Sequence, residues 1–323
     1  MILAGDVGGT KTLIGLFQFD AERPVRVDVR SYPTTDFAGL PAIINAFYEA
    51  QPSRPAVTRA AFGVAGPVID QRAQMTNIEW AVDGGELTTE FGFTSVRLLN
   101  DLEAMATSLP VLRADECTPL QRGTAKKGGN IALIAAGTGL GEAVLHCVAG
   151  SYVPLASEGG HADFAARTER EIDFVRYLRG FYGRAEVEHV LSGRGLLNLS
   201  DFTHLGGRCA ADPAGDIPTS PAEVSTFALA ATCDKCVEAF TLFLAAYGAA
   251  AGNLALTAMT TGGVFVGGGI APRILPALQN GTFVQAFNDK GPMRPLLEEM
   301  PVSVILNAEA GLIGAAVSAN RMK

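Results

Sequence analysis

Short runs of aliphatic, β-branched and aromatic residues, each broken by glycine, set the pattern of the first hundred positions. "MILAGDV" and "TLIGLFQF" (Thr12 to Phe19) alternate as strands do, with Gly8-Gly9-Thr10 between them. "VRVDVRSY" (Val25 to Tyr32) predicts a third strand, and a helix follows from about Phe37 to Ala50. "RAAFGVAGPV" (Arg59 to Val68) and "SVRLLN" (Ser95 to Asn100) predict two more strands. The second of these runs straight into a helical pattern, "DLEAMATSL".

From Pro110 to Lys127 the chain turns polar and irregular, which predicts a boundary between lobes. A second unit then begins as the first did. "IALIAAGTGLGEAVLHCV" (Ile131 to Val148) is again strand, glycine turn, strand. "TGGVFVGGGIAPR" (Thr261 to Arg273) joins a short apolar strand to a glycine-rich turn, with a proline suited to the first turn of a helix. "EAGLIGAAVSA" (Glu309 to Ala319) predicts a last helix whose small residues allow tight packing. "FALAATCDKCVEAFTLFL" also reads as helix. Ala239 to Met259 then runs for 21 residues without a charge, long enough to span a bilayer. Ten of those residues are Ala or Gly, so the expectation is a helix packed on a sheet and no membrane contact.

The 323 residues are 48% hydrophobic, enough for two domains with substantial cores. A net charge of -8, with no basic run longer than Lys126-Lys127, argues against nucleic-acid binding. The chain enters a strand at once, without a charged and then apolar leader, and a cytoplasmic location is expected. Five cysteines, Cys117, Cys147, Cys209, Cys233 and Cys236, form an odd set that suits reduced thiols. Cys233 and Cys236 are most simply neighbours on a helix. A structural zinc would need a second pair or histidines at ligand spacing, which the surrounding sequence does not offer, so no metal site is expected.

The three glycine turns are candidate phosphate sites. "GDVGGTKT" (Gly5 to Thr12) is not a P-loop, because Thr10 stands where that pattern needs glycine and a strand follows in place of a helix. "GTGLGE" fails as a dinucleotide fingerprint for the same reasons, with Glu142 in the last position. A strand-turn-strand can still hold phosphate through bare backbone N–H groups, or be a plain hairpin. Asn100-Asp101 ends a strand and opens a helix, where ligands gather in α/β sheets; Asp101 could take a proton from a hydroxyl or simply cap the helix. Glu158 and His161 in "SEGGHADF" suit a polyol or a metal pair. With only His146, His161, His189 and His204 in the chain, no third ligand has convincing spacing. Glu188, in "EVEHVLSGRGLLNL", adds a carboxylate before another glycine turn. Taken singly, each reads as a solvated or capping residue.

Together "GDVGGTKT", "MTNIEW" (Met75 to Trp80), "LLNDLEAMA", "AAGTGLGEA", "SEGGHADF", "EHVLSGRGLLNL" and "GGVFVGGGIAPR" stand in one order and spacing from Gly5 to about Ala316. In this the chain resembles the bacterial ATP-dependent glucokinases, within the sugar-kinase, heat-shock ATPase and actin superfamily. The resemblance implies an α/β, two-lobed, actin-like ATPase (ribonuclease H-like) fold with an active-site cleft between lobes. The lobes would be about 1–108 plus 307–323, and 109–306. It implies ATP, Mg²⁺ and D-glucose as ligands, glucose 6-phosphate and ADP as products feeding glycolysis, and a homodimer. Asp101 would be the base on the sugar 6-hydroxyl, and Asn100, Glu158, His161 and Glu188 would bind the other hydroxyls. Asp6 would act near Mg²⁺ through water, Gly8, Gly9, Thr10, Thr138 and Gly139 would face the phosphates, and Gly267, Gly268 and Gly269 would lie near the adenosine.

Related repressors and kinases carry a Cys-x-Cys-Gly zinc motif after the Gly-His element; it is absent here, which implies the zinc-free group. Ser157 stands where glycine is common, and Arg194 where proline is common. Rival expectations are a kinase for another hexose, a chaperone-like or actin-like ATPase with no sugar chemistry, and a sugar-responsive regulator. The ATPase leaves the polar residues unexplained, and the regulator would need a DNA-binding segment that does not precede the first strand.

Overall fold

Strand β1 (Ile2–Val7) shows why the first unit has two cores. Its alternation turns Leu3 and Val7 to one face of the sheet and Ile2 and Ala4 to the other, and all four are buried. The computed structural model describes residues 1–19, 21–76 and 78–322; Asn77 of the "MTNIEW" motif and Lys323 of the expected C-terminal segment lie outside the described residues.

The strands in chain order are β1, β2 (Lys11–Phe19), β3 (Pro24–Pro33), β4 (Arg59–Val64), β5 (Val68–Ile69), β6 (Arg72–Gln74), β7 (Ala81–Asp83), β8 (Ser95–Asn100), β9 (Cys117–Gln121), β10 (Ile131–Ala136), β11 (Leu140–Val148), β12 (Ser151–Ser157), β13 (Gly263–Gly267) and β14 (Val302–Ile305). The chain divides into two compact units. One comprises Met1–Glu116, Ser151–Leu155 and Asn307–Lys323, the other Cys117–Gly150 and Ala156–Leu306.

The first unit is built on a five-stranded sheet of order β3-β2-β1-β4-β8. β1 and β2 pair antiparallel, with Val7 opposite Thr12, and β1, β4 and β8 run parallel. The Leu3 face packs with Ile14, Phe62 and Leu98 against Leu40, Ile43, Ile44 and Phe47 of the helix Leu40–Glu49. The opposite face packs Ile2, Ala4, Ala61 and Leu99 against the helices Asp101–Ser108 and Ala310–Arg321. Small residues let these two helices touch backbone to backbone. A Cβ on Gly314 would drive into the carbonyl oxygen of Ala104.

The second unit repeats the motif in a six-stranded sheet of order β12-β11-β10-β13-β14-β9. β10 and β11 pair antiparallel with Ala136 opposite Leu140, and β13 and β14 continue parallel to β10 and to each other. Ala132, Ile134, Val264 and Val266 pack against the helix Asp234–Ala258 through Phe243 and Tyr247. This helix contains the long uncharged segment, and 61% of its apolar window is buried within the unit. Tyr247, fully buried, accepts the Ala136 N–H through its hydroxyl at 3.1 Å, where β10 ends. The expectation of one helix through "FALAATCDKCVEAFTLFL" fails. The helix Pro221–Leu229 stops, Ala231 adopts φ +52°, and a new helix starts at Asp234 with Cys233 as its N-cap.

Candidate active site

In the first unit the parallel register sets Asp6 opposite Gly63 and Val64 opposite Asn100, so Asp6 and Asn100 lie at the same end of the sheet, where the parallel strands finish. Past Val7 the chain turns through Gly8, Gly9 and Thr10, closed by the Gly8 N–H on the Lys11 carbonyl at 3.1 Å. Thr34 braces this turn from outside, its hydroxyl donating to the Gly8 carbonyl at 2.8 Å and its N–H to that of Thr10 at 2.9 Å. The predicted hairpin with a bare glycine turn is present.

Asn100, not Asp101, caps the following helix. Its Oδ1 accepts the Leu102 N–H at 2.9 Å, and its amide donates to the Gly66 carbonyl at 3.1 Å. Asp101 is the first residue of that helix, half-buried, with Oδ1 also 2.9 Å from the Leu102 N–H. The capping role thus falls to its neighbour. Asp6 is half-buried. Burial, then the charge of Asp101, push its carboxyl up to about 6 against the pull of Lys11.

In the second unit the turn Gly137-Thr138-Gly139 closes through the Gly137 N–H on the Gly139 carbonyl at 2.8 Å, leaving Thr138 exposed. Glu188 holds this turn from behind, its Oε2 accepting the Leu140 N–H at 2.8 Å while its own N–H donates to the Gly160 carbonyl at 2.8 Å. The Gly160 amide belongs to the tight turn Gly159–His161 that follows Glu158. Glu158 and His161 are exposed, and His161 Nδ1 lies 2.8 Å from Glu186 Oε2. That hydrogen bond raises the His161 pKa; burial opposes it, and the charges of Glu188, Glu186 and Glu158 add to it. Glu186 is lowered in return by the same bond.

Gly268 follows β13 at φ +82°, and a Cβ there would meet the Ala136 carbonyl. Gly267 lies opposite Ala135 in the β10–β13 register, so the third glycine cluster abuts the second. The structure thus gathers Thr138, Gly139, Glu158, His161, Glu188 and Gly267–Gly269 along one end of one sheet, and Asp6, Gly8–Thr10, Asn100 and Asp101 along one end of the other. Arg194 leaves the "SGRG" turn intact. It occupies the first turn of the helix Gly193–Thr203, capped by Ser192 through the Gly195 N–H.

Sequence reasoning missed Glu186 and Glu142. Glu186 orients His161 from 25 residues further along the chain, and because Glu186 to Val190 form a turn, no alternation in "EVEH" marks it. Glu142, raised by burial, lies against Gly159.

The family model for glucokinase matches residues 3–322. The chain belongs to the glucokinase family. The glucokinase of Nostoc punctiforme is 38% identical over 340 residues, covering 100% of this chain and 99% of that protein. That of a Synechocystis species is also 38% identical, covering 98% of this chain and 97% of its own. Among solved structures, the glucokinase of an Antarctic psychrotroph superposes with a TM-score of 0.89 at 31% identity and 99% coverage of both chains. A ROK family glucokinase from Streptomyces griseus, in complex with glucose and AMPPNP, shares the fold with a TM-score of 0.65 at 21% identity over 99% of each chain. The glucokinase family fold, an actin-like ATPase, matches the expected class.

Proposed function

We propose that this chain transfers the γ-phosphoryl group of ATP to the 6-hydroxyl of D-glucose, giving glucose 6-phosphate and ADP. The observation that carries the reading is Asp101. It opens a helix at the end of β8 while Asn100 takes over the cap, and it lies at the same end of the sheet as Asp6 and the first glycine turn.

Asp101 accepts the 6-hydroxyl proton as the oxygen bonds to phosphorus and the bond to the ADP oxygen breaks; a carboxylate in this role contributes about 10²–10⁴ in rate. Asn100, Glu158, His161 and Glu188 bind the remaining hydroxyls. His161, held by Glu186, offers its other ring nitrogen to the sugar. The N–H groups of Gly8 to Thr10 and of Thr138 and Gly139 cradle phosphate oxygens, and Gly267 to Gly269 leave room for the flat adenine. Asp6 would suit a place near a hydrated Mg²⁺ that enters with ATP, because the charge of Asp101 disfavours its carboxylate and a nearby dication would offset that. When bound, the Mg²⁺ neutralises charge on the triphosphate. The same reading takes the enzyme as a cytoplasmic homodimer.

The test is ADP release from purified protein with Mg-ATP, with and without glucose, followed by identification of the sugar phosphate. Glucose-dependent turnover yielding glucose 6-phosphate is the expected result. ATP hydrolysis indifferent to every sugar would reject it in favour of a partner-driven ATPase.

A further inference from the structure

Four side chains that the catalytic reading leaves unused converge in the second unit. His204 ends the helix Gly193–Thr203, Cys209 lies in the loop beyond it, Cys233 caps the helix Asp234–Ala258 and Cys236 is in that helix's first turn. The loop and the helix break described above bring together residues that are far apart in sequence. All four are buried, and their donor atoms lie within 4.8 Å of one another.

The geometry points to a closed, tetrahedral zinc site formed by His204, Cys209, Cys233 and Cys236. A metal bound to sulfur at about 2.3 Å and to nitrogen at about 2.0 Å sets its tetrahedral edges at roughly 3.5–3.8 Å. The observed edges are close to that. Cys209 Sγ and Cys236 Sγ are 4.0 Å apart, and His204 Nε2 is 3.4 Å from Cys233 Sγ and 3.9 Å from Cys236 Sγ. The cysteines are free thiols and not a disulfide.

The surroundings suit metal ligands. His204 Nδ1 is 2.7 Å from the Ser200 carbonyl, to which it donates; this fixes the tautomer and leaves the Nε2 lone pair aimed at the sulfurs. The backbone N–H groups of Cys236 and Ala210 point at the Cys233 sulfur, as donors around a metal-bound sulfur do. Three sulfurs and one imidazole in a tetrahedron select zinc over the harder cations. With four protein ligands and no open position the site is structural. None of the ligands comes from the "SEGGHADF" element.

The site ties the end of the helix that follows Glu188 to the start of the helix that supports β10 and β13. Metal loss is therefore expected to loosen the second unit before it touches the chemistry.

The experiment is metal analysis of the full chain, purified without an affinity tag or chelator and kept reduced. About one zinc per chain is expected. Replacement with Co²⁺ is expected to give the intense visible bands of tetrahedral thiolate coordination, and stripping the metal to lower the melting temperature. Cys233→Ser with Cys236→Ser should abolish stoichiometric zinc, whereas Cys117→Ser with Cys147→Ser should leave it unchanged. Reduced wild-type protein that neither carries zinc nor takes up Zn²⁺ or Co²⁺ overturns the proposal, and so does full metal content in a folded His204→Ala variant. If the paired cysteine variant does not fold, the cobalt spectrum of the wild type decides.

Discussion

Glu188 and Leu140 are joined by a 2.8 Å hydrogen bond from the Leu140 N–H to Oε2, and a Cβ on Gly139 would stand 2.5 Å from the same oxygen. One carboxylate therefore shapes the glycine turn proposed for phosphate and is also a proposed sugar ligand. Glu188→Ala should raise KM for both glucose and ATP. Glu188→Gln keeps an oxygen acceptor for Leu140, so its KM for ATP should stay near wild type while that for glucose rises. Steady-state kinetics with each substrate varied would show whether the two effects separate.

Asp101→Asn should lower kcat by about 10²–10⁴ while KM for glucose changes little, because the amide keeps the shape but takes no proton. Glucose binding by the variant is to be measured calorimetrically. Near-normal turnover would remove Asp101 from its assigned role.

Asp6 holds its proton more tightly in the folded chain than in the unfolded one, its pKa being about 6. The stability this contributes is complete below pH ~4 and lost as pH rises through the folded value. Asp6→Asn should therefore gain stability on the wild type by ~1–2 kcal/mol between pH 4 and 7, a figure reduced because the carboxyl is only half-buried. It should do so while losing activity. Denaturant midpoints across that range provide the check, and a difference independent of pH would contradict the assignment.

Glu116 behaves in the opposite sense. Burial alone would push its carboxyl up, but Arg23, the Arg113 N–H and the Asn307 amide outweigh it and hold the pKa at about 2. The resulting stability is present above pH ~4.5 and lost as pH falls through the folded value. Glu116→Gln should cost about 3 kcal/mol at pH 7, a gap that closes as both proteins are acidified. A constant gap would show that the charge is not the source.

Gly268→Ala has no room for its methyl and must hold φ +82°. Strain of ~1–3 kcal/mol falls on the third glycine turn and on Ala136, so KM for ATP should rise about tenfold or more. Glucose binding in the absence of nucleotide should be nearly unchanged, which isothermal titration can establish.

The two glycine-turned hairpins were legible because strand alternation on both sides of a short glycine run is a local signal, and β8 matched its predicted bounds from Ser95 to Asn100. The cap on the catalytic helix was not. Asn100 and Asp101 both have side chains able to cap, and only the backbone conformation distinguishes them. The break before Asp234 was hidden because Ala231 is an alanine in a left-handed conformation, with no glycine or proline to mark it. His161 and Glu186 are 25 residues apart in sequence, and the histidine and three cysteines of the second unit meet only through a loop and a helix break; such pairings are set by tertiary packing and leave no periodic trace.

The contact between Gly314 and Ala104 also has a bearing on synthesis of the chain. A nascent polypeptide that has emerged only as far as Leu306 already contains every glycine turn and every proposed sugar ligand. It lacks the helix Ala310–Arg321, whose Leu312, Ala315, Ala316 and Ala319 complete the core beneath Ala4, Leu99 and Ala104. Until that helix emerges, the helix that begins with Asp101 has only the sheet face of Ala61 and Leu99 to lie against, and its side toward Gly314 is uncovered. A chain cut off at Leu306 would thus bear the recognition elements proposed for a kinase while lacking one wall of the core behind the helix that carries Asp101.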